Sequence, residues 1–179
     1  MKRIGIILTS DNRSKAYLQK IILNNIKIDS IIFMNNNKQN KEFSNEEKEI
    51  SIQYGFNISE SVKDTLNKHK IDYHEFNFVD INHPSLIEYL KKSNIDFCIF
   101  TGGGILEKDV LKSGPKFIHL HPGIVPEYRG STCFYYSMIN EDECGVTAYI
   151  MNEGLDTGPI IHQQIFSKPN HIFVDEVYD

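Results

Sequence analysis

Residues 3–9 (RIGIILT) form an unbroken apolar run closed by the polar stretch SDNRS. Such a run predicts a strand buried on both faces. Tyr17, Leu18, Ile21, Ile22 and Ile26 then recur at helical spacing within residues 15–26, and residues 29–35 (DSIIFMN) read as a second strand. A β-α-β opening of this kind predicts a doubly wound sheet.

The alternation continues. Residues 35–49 (NNNKQNKEFSNEEKE) are polar and locally repetitive, and read as a solvated, mobile insertion or as a lid or substrate loop. Helices are expected over residues 60–70, 83–93, 107–113 and 131–140, with Pro84 well placed in a first turn. Strands are expected over residues 71–79, 95–101, 116–121, 145–151 and 160–166. Residues 170–179 carry an acidic first turn and apolar spacing, as if a further helix were beginning. The expected fold is therefore α/β, Rossmann-like, a mostly parallel sheet with helices on both faces. It is read as one domain over residues 1–179, without its final helix and without a C-terminal domain.

Composition narrows the function classes. Hydrophobic residues make up 40% and charged residues 24%, as in an ordinary globular protein. A net charge of −5 argues against a nucleic-acid surface, which needs a basic face. The apolar run near the N-terminus is too short for a signal peptide or a membrane span. Cys98, Cys133 and Cys144 are widely spaced and include no C-x-x-C, so a reducing cytoplasm fits better than a disulfide framework.

Ligands of open α/β sheets bind beyond the carboxyl ends of the strands. Three stretches fall there: GGGIL (102–106), HLHPGIVPEYRG (119–130) and NEGLDTGP (152–159). His119 and His121 share one face of a strand. They could hold one metal ion, with Asp156 as a third ligand, or they could simply be packed and hydrogen-bonded. No H-E-x-x-H and no cysteine cluster supports a metal. The third reading is a proton-handling pair of His and Asp, in which the carboxylate orients the imidazole. The aspartate could equally cap a turn. GGGIL lacks the G-x-G-x-x-G spacing of a dinucleotide site. Its glycines could allow a tight turn, or let the backbone approach a flat ligand with Ile105 and Leu106 as an apolar wall.

HPGIVPEYRG (121–130), followed by GVTAYIMNEGLDTGPII (145–161), resembles the 10-formyltetrahydrofolate-dependent formyltransferases. The likeness runs from about residue 96 to residue 165. It implies formyl transfer from 10-formyltetrahydrofolate to a primary amine, with no metal. It implies His121 and Asp156 as catalytic residues. His119 stands where the family has the asparagine of its N-x-H motif, and its imidazole could replace that donor. The folate would be held by Gly103, Gly104, Ile105 and Leu106 and by Met151, Asn152, Glu153, Gly154 and Leu155. The loop after His121 looks most like the branch acting on sugar nucleotides. The implied acceptor is then a nucleotide-linked amino sugar for surface polysaccharide. Candidate substrate contacts are Ser10, Asn12, Arg13, Tyr128 and Arg129. No nucleic acid and no membrane is expected as partner, and the oligomeric state, a homo-oligomer included, is left open. Two alternatives stand beside this reading: hydrolysis of formyltetrahydrofolate, and a catalytically silent folate- or nucleotide-binding domain of a larger protein.

Overall fold

The computed structural model describes residues 1–35, 42–102 and 104–168. The chain forms two compact units, one of residues 1–115 and one from Lys116 onward.

The first unit is built on four strands: β1 (Ile4–Thr9), β2 (Ser30–Met34), β3 (His74–Phe76) and β4 (Phe97–Phe100). They lie in the order β3-β2-β1-β4, and β1 pairs in parallel with both β2 and β4, as does β2 with β3. Its helices are α1 (Asn12–Leu23), α2 (Asn45–Gln53), α3 (Val62–Lys68), α4 (Pro84–Lys92) and α5 (Lys108–Leu111). Ile6 and Leu8 of β1, Ile31 and Phe33 of β2, Leu18 of α1, and Val62 and Leu66 of α3 form one buried cluster. Burying each such side chain contributes about 1.5–3 kcal/mol, which explains the unbroken apolar run of β1.

Three boundaries differ from the sequence reading. The SDNRS stretch is the start of α1, because the Asp11 carboxylate accepts from the Ser14 amide at 2.7 Å and caps the helix. Residues 36–41 of the polar insertion lie outside the described residues, but its second half is helical. Ser44 and Glu47 form a reciprocal capping box that starts α2. The third strand is confined to three residues. Pro84 sits in the first turn of α4 as expected. The helix anticipated over residues 170–179 lies outside the described residues.

The second unit holds β5 (Lys116–His121), α6 (Cys133–Glu141), β6 (Glu143–Ile150) and β7 (Ile160–Ser167). Here β5 pairs antiparallel with β6, and β6 with β7. The register sets His121 opposite Thr147 and His119 opposite Tyr149. The α/β expectation is borne out, and parallel pairing dominates the first unit. Apolar runs carry no strand direction, so the antiparallel ending was not legible in them.

Candidate active site

His121 is the last residue of β5, and the chain turns away from the strand immediately after it. Gly123 makes the turn fit. A Cβ at Gly123 would lie 2.5 Å from Cys133 Sγ, 2.7 Å from His121 Nε2 and 2.7 Å from the Tyr128 carbonyl oxygen. The space a side chain would fill is occupied by polar atoms that converge on the imidazole.

The loop that follows is fastened to the sheet. The Thr147 hydroxyl, fully buried on β6, donates to the Gly123 carbonyl at 2.6 Å and accepts from the Val125 amide at 3.2 Å. From β7, Gln163 Nε2 donates to the Val125 carbonyl at 2.8 Å and to Thr147 Oγ1 at 3.0 Å. These bonds fix the path of residues 123–125.

Asp156 reaches the same place from the loop between β6 and β7. Its backbone is left-handed, with φ 50°, a conformation that Asp tolerates better than most residues. Asn152 Oδ1 organises this loop by accepting from the Gly154 amide at 3.0 Å and from Thr157 Oγ1 at 2.9 Å. A Cβ at Gly158 would fall 1.6 Å from the Ile150 carbonyl oxygen, so only glycine closes the turn behind Asp156.

The two side chains meet inside the protein. Asp156 Oδ2 lies 3.5 Å from His121 Nδ1, and both residues are buried. Oδ2 also accepts from the Gly130 amide at 2.7 Å, and Oδ1 accepts from the Tyr149 hydroxyl at 2.7 Å. Burial, the largest single influence, pushes the Asp156 carboxyl up. The Gly130 amide, the Tyr149 hydroxyl and the imidazoles of His121 and His119 together hold it below its ordinary value. Tyr149 is pushed well up by burial and by its carboxylate partner, so it remains a donor. On the opposite edge of His121, Nε2 lies 3.2 Å from the Tyr128 carbonyl oxygen and 3.1 Å from Cys133 Sγ. One edge of the ring faces an ionised carboxylate, and the other is anchored by a carbonyl and a thiol. Such a pair can hold a proton and hand it on.

His119 is half-buried. Its ring centroid is 6.3 Å from that of His121 and 5.9 Å from that of Tyr149, edge to face in the latter case. It acts on Asp156 through its charge. The Tyr128 phenol donates to Glu141 at 2.9 Å, so its backbone rather than its side chain meets the imidazole. Arg129 is exposed. Met151 is half-buried, whereas Asn152, Glu153, Gly154 and Leu155 are exposed. Among the described residues, no group of three or more His, Cys, Asp or Glu is arranged to hold a metal ion. Among these residues no helix is long and apolar enough to cross a membrane.

In the first unit, Ser14 Oγ bonds Thr101 Oγ1 at 2.7 Å and ties the ends of β1 and β4 together. Asn12 and Arg13 occupy the exposed first turn of α1, and Ser10 precedes its cap. Gly103 lies outside the described residues. Gly104 has φ 117°, open to glycine. Ile105 is 81% exposed, whereas Leu106 is buried. Asn82 holds this loop, donating to the Ile105 carbonyl and accepting from the Glu107 amide, each at 2.9 Å.

Sequence reasoning named His121 and Asp156 and missed Tyr149, Cys133, Thr147 and Gln163. Tyr149 and Thr147 alternate inward along GVTAYI and stand opposite the two histidines in the pairing of β6 with β5. That alternation was the available signal. Nothing in the sequence pointed to Cys133.

A family model described as formyl transferase matches residues 2–167. A methionyl-tRNA formyltransferase of Clostridium beijerinckii is 36% identical over 124 residues, 66% of this chain and 39% of that protein. The enzyme of the same name from Sulfurovum sp. is 35% identical over 113 residues, 62% of this chain and 36% of that protein. The chain thus spans well under half the length of these curated relatives. Among solved structures, the phosphoribosylglycinamide formyltransferase of Streptococcus pneumoniae superposes with a TM-score of 0.66 at 16% identity, covering 98% of this chain and 87% of that one. A protein of Mycobacterium tuberculosis described as a sugar N-formyltransferase gives 0.57 at 15% identity, covering 99% and 60%. These likenesses show a shared fold.

Proposed function

Because the chain belongs to the formyl transferase family, we propose that it transfers a formyl group from 10-formyltetrahydrofolate to the primary amine of a small acceptor, in the cytoplasm. The buried His121–Asp156 pair carries this reading. Folate supplies the activated formyl group. The exposed apolar side chain of Leu155, on a loop held by its own hydrogen bonds, suits the flat ring of such a donor.

The chain's own residues do the rest. Nε2 of His121 is anchored by the Tyr128 carbonyl, so Nδ1 is the working nitrogen. At 3.5 Å its contact with Asp156 is longer than a closed hydrogen bond, and in the protonated ring the N–H there remains available to an oxygen that gains negative charge as the amine attacks. A donor of this kind is worth about 10²–10³ in rate. Asp156 stays ionised beside it, held down by the Gly130 amide and the Tyr149 hydroxyl; it takes up the proton that the attacking amine loses and returns it to folate N10 as the bond from N10 to the formyl carbon breaks and tetrahydrofolate leaves. His119, beside Tyr149, adds positive charge near the carboxylate.

The acceptor we favour is an amino sugar linked to a nucleotide, on the likeness of the loop HPGIVPEYRG to that branch. A second reading, methionyl-tRNA, is favoured by the names of the curated relatives. Incubation with 10-formyltetrahydrofolate, amino-sugar nucleotides and methionyl-tRNA, followed by mass spectrometry, separates them. A gain of one formyl group on a sugar nucleotide is expected. Gain on methionyl-tRNA alone overturns the sugar reading. Folate release without any acceptor indicates hydrolysis, and folate binding without turnover indicates a silent domain. His121→Ala and Asp156→Ala should each nearly abolish transfer; near-normal rates in either would sink the mechanism.

A further inference from the structure

The neighbours of His121 Nε2 constrain its hydrogen. The Tyr128 oxygen at 3.2 Å is a backbone carbonyl and only accepts. Cys133 Sγ, at 3.1 Å, is the second neighbour. The thiol also lies 3.3 Å from the Pro122 carbonyl oxygen, to which it donates. With its hydrogen committed there, the sulfur presents lone pairs to the ring. Both neighbours of Nε2 are then acceptors, and Nε2 keeps its hydrogen whether or not Nδ1 carries one. Cys133 is 2% exposed, at the first position of α6. The residue before it, Thr132, is left-handed at φ 61°. That conformation is costly for a β-branched side chain, and it marks where the chain turns to bring the thiol inward.

We propose that Cys133 is a positioning residue that fixes His121 in its Nε2–H tautomer and reserves Nδ1, the nitrogen facing Asp156, for proton transfer. The proposal rests on His121 being the proton-handling group of the formyl transfer. It gives the thiol no covalent part. Burial, and then the nearby Asp156 charge, push Cys133 above its ordinary value, so it stays a neutral thiol and a poor nucleophile. The titratable groups facing the ring are Asp156 at Nδ1, Cys133 at Nε2 and the His119 ring 6.3 Å away, with Tyr149 acting through Asp156.

The test compares the wild-type chain with Cys133→Ala and Cys133→Ser. Long-range ¹H–¹⁵N NMR reads the tautomer of His121 directly and requires no turnover. The expected result is Nε2–H in the neutral wild-type ring and a mixed population in Cys133→Ala. Cys133→Ser, which keeps a donor and an acceptor, should restore the single tautomer. In transfer assays Cys133→Ala should lower kcat about tenfold with KM for the folate unchanged, and Cys133→Ser should recover most of the loss. Nδ1–H in the neutral wild-type ring overturns the proposal, as does a Cys133→Ala variant with unaltered tautomer and kcat. Absence of transfer by the wild-type chain would instead remove the formyltransferase reading, and the NMR result would still decide the role of Cys133.

Discussion

The Tyr149 hydroxyl donates to Asp156 Oδ1 at 2.7 Å inside the protein, joining the second-last residue of β6 to the carboxylate seven residues further on. A hydrogen bond to a buried charged group is worth about 1.5–3 kcal/mol. Tyr149→Phe should therefore destabilise the chain by about that amount in urea denaturation. It should also raise the Asp156 carboxyl and lower kcat by about tenfold. Unchanged stability and unchanged kcat together would remove Tyr149 from the site.

Asp156 also links stability to pH. Its carboxyl lies below its ordinary value in the folded chain and returns to the usual value, about 3.9, on unfolding. Its stabilisation is therefore fully present above the ordinary carboxylate range and is lost as pH falls through the depressed folded value. Urea midpoints measured between pH 7 and pH 3 should fall more steeply for the wild type than for Asp156→Asn. Parallel curves would refute the link.

Gly123→Ala adds a Cβ within 2.7 Å of the Tyr128 carbonyl and of His121 Nε2, and closer still to Cys133 Sγ. Overpacking of this kind costs about 1–3 kcal/mol, and here the strain falls on the imidazole anchor. Loss of stability should be accompanied by loss of most formyl transfer. A stable and fully active Gly123→Ala chain would show that the loop relaxes without moving the ring.

Leu155, 67% exposed on the loop before Asp156, should weaken folate binding when made polar. Leu155→Ser is expected to raise KM for the folate about tenfold with kcat little changed, in line with about 1.5 kcal/mol for covering one such side chain. A normal KM would exclude Leu155 from the folate surface.

The strands and the two central groups of the site were legible because they depend on local pattern. The apolar run of β1 and residues 116–121 of β5 predict buried strands, and HPG and LDTG mark the turns that carry His121 and Asp156. The helix in the polar insertion escaped notice because its start depends on two side-chain hydrogen bonds, between Ser44 and Glu47, rather than on apolar spacing. Cys133 escaped because its meaning comes from a contact twelve residues away with His121. Tyr149 and Thr147 became site residues only once the antiparallel register of β5 and β6 was known.

The Thr147 hydroxyl, with bonds to Gly123, Val125 and Gln163, has a consequence for how this centre works. It makes the segment after His121 a stitched part of the sheet and not a gate. The Val125 amide should be among the slowly exchanging hydrogens of the second unit. A histidine held in this way has little reorientation left to undergo as charge develops, so the solvent-like rearrangement that a reaction in water requires is already complete before any acceptor arrives.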